Sequence, residues 1–151
     1  MVQLSDAFPL DFRKSEIEQR LVPGAVLYLE ITFPEVIKNK YLVLVGTADP
    51  DILTFMVNSE TNDYIRHRPE LNICQVTLDQ ANHDFLDYDS KIACHQVHRL
   101  KKADVIDALL SDVNRLKGNI SLDVRQEIVS AIKHATTLTP VIVRNILNGL
   151  N

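Results

Sequence analysis

Residues 83–100 read HDFLDYDSKIACHQVHRL, and they gather three of the five histidines, one of the two cysteines and three aspartates. These are the side chains of metal ligation, proton transfer and nucleophilic attack. His83, Asp84, Asp87, Asp89, His95 and His98 offer imidazoles and carboxylates of the kind that suit zinc or manganese. Their spacing points elsewhere. No HxxxH pair and no CxxC pair occurs, and His95 and His98, three apart on a strand, are expected on opposite faces. The expectation is no bound metal and no cofactor. Asp87 and Asp89 then accept hydrogen bonds within a turn, and the histidines sit half-exposed. Cys94 beside His95 has the composition of a thiolate–imidazole pair, yet neighbouring strand positions face apart. Cys94 and Cys74 are both expected as small, buried, apolar residues.

Two further groups carry polar chemistry. Arg66-His67-Arg68 is a compact basic patch in an acidic region, able to grip a phosphate or simply to stay solvated on a loop. Asn58-Ser59-Glu60 ends an apolar strand, where small barrels place binding residues and where any strand exits into a loop. No glycine-rich phosphate loop and no GxSxG elbow is present.

The elements that must position these groups change period along the chain. Pro9 discourages helix at the start, and Ser15-Glu16-Ile17-Glu18 has the hydroxyl and carboxylate of a helix cap, with Ile17 and Leu21 on one face. Pro23-Gly24 ends that helix. Ala25 to Phe33 alternates as a strand, and Lys38-Asn39-Lys40 reads as a loop. Tyr41 to Val45 is a strand covered on both faces. Ile52 to Val57, Leu71 to Leu78 and Ser90 to Val97 are further strands, with a turn at Asp49-Pro50 and one helical turn or a loop over Thr61 to Arg68. Helical spacing then takes over. Val105, Ile106, Leu109, Leu110, Val113 and Leu116 form one stripe, closed by Lys117-Gly118. Ser121 caps a second helix and Thr139-Pro140 opens a third. This spacing predicts three helices and no strand over residues 101–151. The fold class is α+β: a small antiparallel barrel over residues 1–100 with a short N-terminal helix, and a three-helix segment over 101–151 packed on it.

With 151 residues, 46% of them hydrophobic, the chain is long enough to bury a core without staples. Two cysteines and no signal-peptide pattern suggest a reduced, cytoplasmic protein. No apolar run is long enough for a membrane span. Residues 1–100 hold 9 Lys/Arg against 15 Asp/Glu, residues 101–151 hold 7 against 5. An acidic front portion disfavours tight, non-specific binding of polyanions.

In order, VPGAVLYLEI, a polar loop, KYLVLVG, LTFMVNSE and DSKIACHQVHRL resemble the layout of the MazF/PemK/CcdB-like toxins of bacterial toxin–antitoxin pairs, over about residues 22–100. The resemblance implies a small SH3-like barrel, a homodimer, an antitoxin partner and metal-independent endoribonuclease activity on single-stranded RNA. Members that cleave RNA place an arginine before the second strand and a Ser or Thr at the end of the third. The matching positions here are Lys40 and Ser59. On this likeness Lys40 stabilises charge on the phosphate, Ser59 positions it, and Arg66 or His67 assists proton transfer, with Asn58, Arg66 and Arg68 binding. A lysine lacks the planar fork that grips two oxygens at once. Within the resembling family the activity can also be protein inhibition, as in the gyrase-poisoning members. The alternative reading is a non-enzymatic module whose barrel or helical tail binds a partner protein.

Overall fold

Six strands pair antiparallel in one curled, half-barrel sheet in a computed structural model that describes residues 9–59 and 63–151. They are β1 Ala25–Thr32, β2 Ile37–Ala48, β3 Asp51–Asn58, β4 Gln75–Leu78, β5 Ser90–Lys101 and β6 Leu116–Asn119, ordered β4-β5-β3-β2-β1-β6 across the sheet. The helices are α1 Leu10–Arg20, α2 Asp63–Arg66, α3 Pro69–Asn72, α4 Lys102–Ser111, α5 Leu122–Ile132 and α6 Pro140–Leu150. None of them is long and apolar enough to cross a membrane.

Strand alternation divides the core in two. Val43, Val45, Leu53, Phe55, Val76, Leu78, Ile92 and Cys94 join Val124, Ile128 and Ile132 of α5 and Ile146 of α6. On the opposite face Leu27, Leu42, Leu44, Ile52 and Met56 meet Ile17 of α1 and Val105, Ile106 and Leu109 of α4. Both faces of the central strands are covered, which is why Tyr41 to Val45 carries no polar alternation.

Several boundaries differ from the sequence expectations. α1 starts at Leu10 rather than Ser15: Pro9 lies just outside the helix in extended backbone, and its carbonyl accepts from Arg13 N at 3.1 Å to close the first turn. Proline is excluded from helix interiors, not from this flank. Ile17 and Leu21 are buried together, as their spacing implied. Lys38-Asn39-Lys40 is strand, not loop, because β2 runs on past the core and pairs Ile31↔Lys38, Glu30↔Asn39 and Leu29↔Lys40. Leu71 belongs to α3, started by Pro69 at its first position, so β4 begins only at Gln75. There Cys74, Val76 and Leu78 face the core while Ile73 stays exposed. Thr61 and Glu60 lie outside the described residues, as do residues 1–8.

The largest correction falls after residue 100. The three α-helices are present, and Ser121 and Thr139 cap α5 and α6 through their side-chain oxygens. A strand, however, stands between the first two. Asp112 turns extended and its carboxylate accepts from Asn114 N at 3.1 Å, ending α4. Leu116 then pairs with Leu27 and Gly118 with Val26. Lys117-Gly118 is therefore part of β6 rather than a helix terminus. The φ of 149° at Gly118 is a conformation that favours glycine in either setting, which hid the difference.

Candidate functional site

Antiparallel pairing of β2 with β3 sets the start of one strand against the end of the other, Leu42 opposite Met56 and Lys40 two residues beyond it. Lys40 Nζ donates to Asn58 Oδ1 at 2.8 Å. Burial, then the neighbouring Lys38 charge, lower the Lys40 pKa. Lys40 and Ser59 line the same cavity of 160 Å³ with Tyr28, Tyr41, Asp87 and Tyr88. A cation, a hydroxyl and a set of aromatic rings thus converge at one end of the sheet.

The rings are fixed from behind. Tyr28 and Tyr41 are register partners, with centroids 4.6 Å apart, and Phe85 packs 5.8 Å from Tyr41. Tyr41 Oη donates to the Phe85 carbonyl at 3.0 Å. Burial, then Tyr28, Asp87 and Tyr88, raise the Tyr41 pKa, so the phenol keeps its proton as a donor. Arg115 from the turn before β6 donates to the Tyr28 carbonyl at 2.9 Å and to Asn39 Oδ1 at 3.0 Å. The strand that spacing missed is therefore what lets this guanidinium brace the cavity wall.

Lys40 also lines a second, larger groove of 830 Å³, shared with Asn58, Tyr64, His95 and His98. The two histidines were expected on opposite faces; they line one groove. Phe55 pairs with Val97 but Val57 pairs with Ile92, so β5 carries extra residues between these points and the alternation breaks. Burial lowers the pKa of both imidazoles, and the His98 charge lowers that of His95 further. His95 Nδ1 is buried with no hydrogen-bond partner.

The basic patch stands apart from the Lys40 cavity. Arg66 pairs with Asp63 at 3.3 Å, Arg68 lies 4.3 Å over the Tyr64 ring, and His67 is exposed; none of the three lines either space around Lys40. His83, expected half-exposed, is buried. Its Nδ1 donates to the Asp79 carbonyl at 2.7 Å and its Nε2 accepts from Ser121 N at 3.0 Å, which ties the loop before β5 to the start of α5. Asp89 accepts from Gln80 N at 2.8 Å, so its carboxylate ties back to the loop before it, nine residues away, rather than closing its own turn. Cys74 and Cys94 are free and buried, and burial raises both thiol pKa values. Among the described residues no group of three or more His, Cys, Asp or Glu is placed to hold a metal ion.

The sequence reading missed Tyr28, Tyr41 and Tyr88, and it singled out Asp87 as a turn acceptor or metal ligand rather than as a neighbour of Lys40. One signal was available: Tyr28 and Tyr41 are the partly polar aromatics at matching depths of adjacent strands, on either side of the polar loop. No protein-family model matches the chain, and no curated protein is significantly similar to it.

Proposed function

We propose that the chain is a toxin-like, metal-independent endoribonuclease on an SH3-like barrel with a helical tail, cytoplasmic, dimeric and held in check by an antitoxin. The observation that carries this reading is the half-buried Lys40 amine in one small cavity with the Ser59 hydroxyl and three tyrosine rings. Aromatic faces beside a cation suit a single-stranded nucleic acid, whose bases stack while its phosphates meet the charge. In this mechanism the ribose 2′-oxygen attacks the adjacent phosphorus, the bond to the 5′-oxygen breaks, and that oxygen takes a proton from water, leaving a cyclic phosphate and a 5′-hydroxyl. Lys40 stabilises the charge that develops on the phosphoryl oxygens and Ser59 donates to one of them. Asp87, inside the cavity where His67 is not, takes the 2′-hydroxyl proton.

The test is cleavage of a single-stranded RNA by purified protein with chelator present. Lys40→Ala and Ser59→Ala should each lower the rate by about a hundredfold or more, with circular dichroism unchanged. RNA left intact by the wild-type protein would discard the enzymatic reading. The alternative, a protein-binding module, draws on the larger groove. Phe33, Pro34, Val36, Met56 and Ile65 give it an apolar wall, and Tyr64 at its rim is 63% exposed.

A further inference from the structure

The sheet has two edges, and they are built differently. β6 carries Lys117, and its pairing with β1 shifts register between Val26 and Leu27. A lysine and an irregular register are devices that keep an edge from recruiting another strand. β4 has neither. Gln75-Val76-Thr77-Leu78 holds no charge and no proline, and it pairs with β5 in unbroken register from Gln75↔Ala93 to Leu78↔Ser90. Among the described residues no strand pairs with its outer side.

That side opens instead on a groove of 610 Å³ walled by α5. Asp123 and Glu127, four residues apart on one face of α5 and both exposed, line it, and no lysine or arginine is among its lining residues. Lys91 reaches from β5 to Thr77 Oγ1 at 2.6 Å, a single cation at the groove's side against the two carboxylates of α5. Gln75 lines the groove as well, and both polar atoms of its amide are buried without a hydrogen-bond partner. A primary amide offers one donor face and one acceptor, the pair that a peptide backbone also presents, and leaving both unmet is costly.

We propose that β4 and α5 form a docking groove for an extended, basic segment of a partner protein, which joins the sheet as a strand beside β4. Backbone pairing along β4 provides the affinity, and side chains on alternate positions provide the selectivity. Lysine or arginine on one face of the segment meets Asp123 and Glu127, and an apolar residue covers Ile73, which is 56% exposed. The Gln75 amide turns toward the incoming backbone. A second copy of this chain fits less well, because pairing β4 with itself would bring two sets of these carboxylates to one site. An RNA strand is repelled by the same charges. The inference is independent of the ribonuclease reading.

The probe is a fluorescein-labelled peptide of alternating lysine and valine, about eight residues long so that it spans all of β4. Titrated with the full chain, it should bind saturably. Binding should weaken by about tenfold or more in the Asp123→Lys/Glu127→Lys double variant, and vanish when alternate backbone nitrogens of the probe are methylated. Hydrogen exchange of the β4 amides should slow in the complex. The methylated probe needs no variant, so a misfolded mutant cannot confuse the result. Absence of saturable binding overturns the proposal. So does equal affinity for the methylated probe or for an alternating glutamate–valine peptide, or a dimer of the chain that displaces the probe.

Discussion

His95 and His98 are held below the ordinary imidazole value of 6.5 by burial, and His95 also by its neighbour. Lys38 and Lys40 line the same groove and Glu35 is the one carboxylate among its lining residues, so protonation adds charge to a site already cationic. The folded state thus binds fewer protons than the unfolded chain between the two pKa values. The stability these histidines contribute is present in full above the unfolded value and is lost as pH falls from about 6.5 through the folded values. Unfolding temperatures of wild type should therefore fall more steeply than those of His98→Gln between about pH 7 and pH 5. Parallel curves would show that the His98 ring is solvated alike in both states. His83 is a different case. Its ring satisfies the Asp79 carbonyl and the Ser121 amide at once, so His83→Ala leaves both without that partner. A loss of about 2–3 kcal/mol in urea denaturation is expected.

At the scale of elements, Arg125 of α5 carries much of the tie between helices and sheet. Its guanidinium donates to the Pro23 carbonyl at 3.0 Å and to the Gly149 and Leu150 carbonyls at 3.4 and 3.3 Å. The last two are free C-terminal carbonyls of α6, where a cation also suits the helix dipole. Gly24 leaves room for it, since a Cβ there would collide with the Arg125 guanidinium. Arg125→Ala should cost about 1.5–3 kcal/mol, with faster hydrogen exchange in α6 than in β2. Nothing in the sequence marks this arginine, because its three partners lie about a hundred or about two dozen positions away. What sequence reads well is local. β1 follows from alternation, β3 from a short apolar run, α5 from a capping serine and α6 from a Thr-Pro start. β6 escaped because Leu116 extends the apolar stripe of α4 in register, and only long-range pairing with Leu27 decides against another turn. The candidate site divides in the same way. Lys40 and Asn58 meet as antiparallel pairing requires, whereas His95 and His98 share a groove through a break in β5 that spacing rules cannot anticipate.

The whole molecule depends on its last third more than a barrel with an appended tail would. β6 hydrogen-bonds to the outer edge of β1, α4 covers Leu42, Leu44 and Ile52, and α5 with α6 covers Val43, Val45, Leu53 and Phe55. A chain cut after residue 100 would expose both faces of the central strands at once. Those side chains are almost fully buried in the complete chain, and each large one contributes about 1.5–3 kcal/mol on burial. For the seven side chains named, that loss is about 10–20 kcal/mol, as large as the roughly 5–15 kcal/mol that usually holds a domain of this kind together. The fragment 1–100 should therefore lack dispersed amide resonances and should aggregate, while the complete chain unfolds in one transition seen alike by circular dichroism and tyrosine fluorescence. Mixing the fragment with a 101–151 peptide should restore dispersion in the mixture, since the peptide brings back β6 and both helical covers. A fragment 1–100 that folds alone with native β2–β3 exchange protection would show instead that the curled sheet is self-sufficient and that the helices only decorate it.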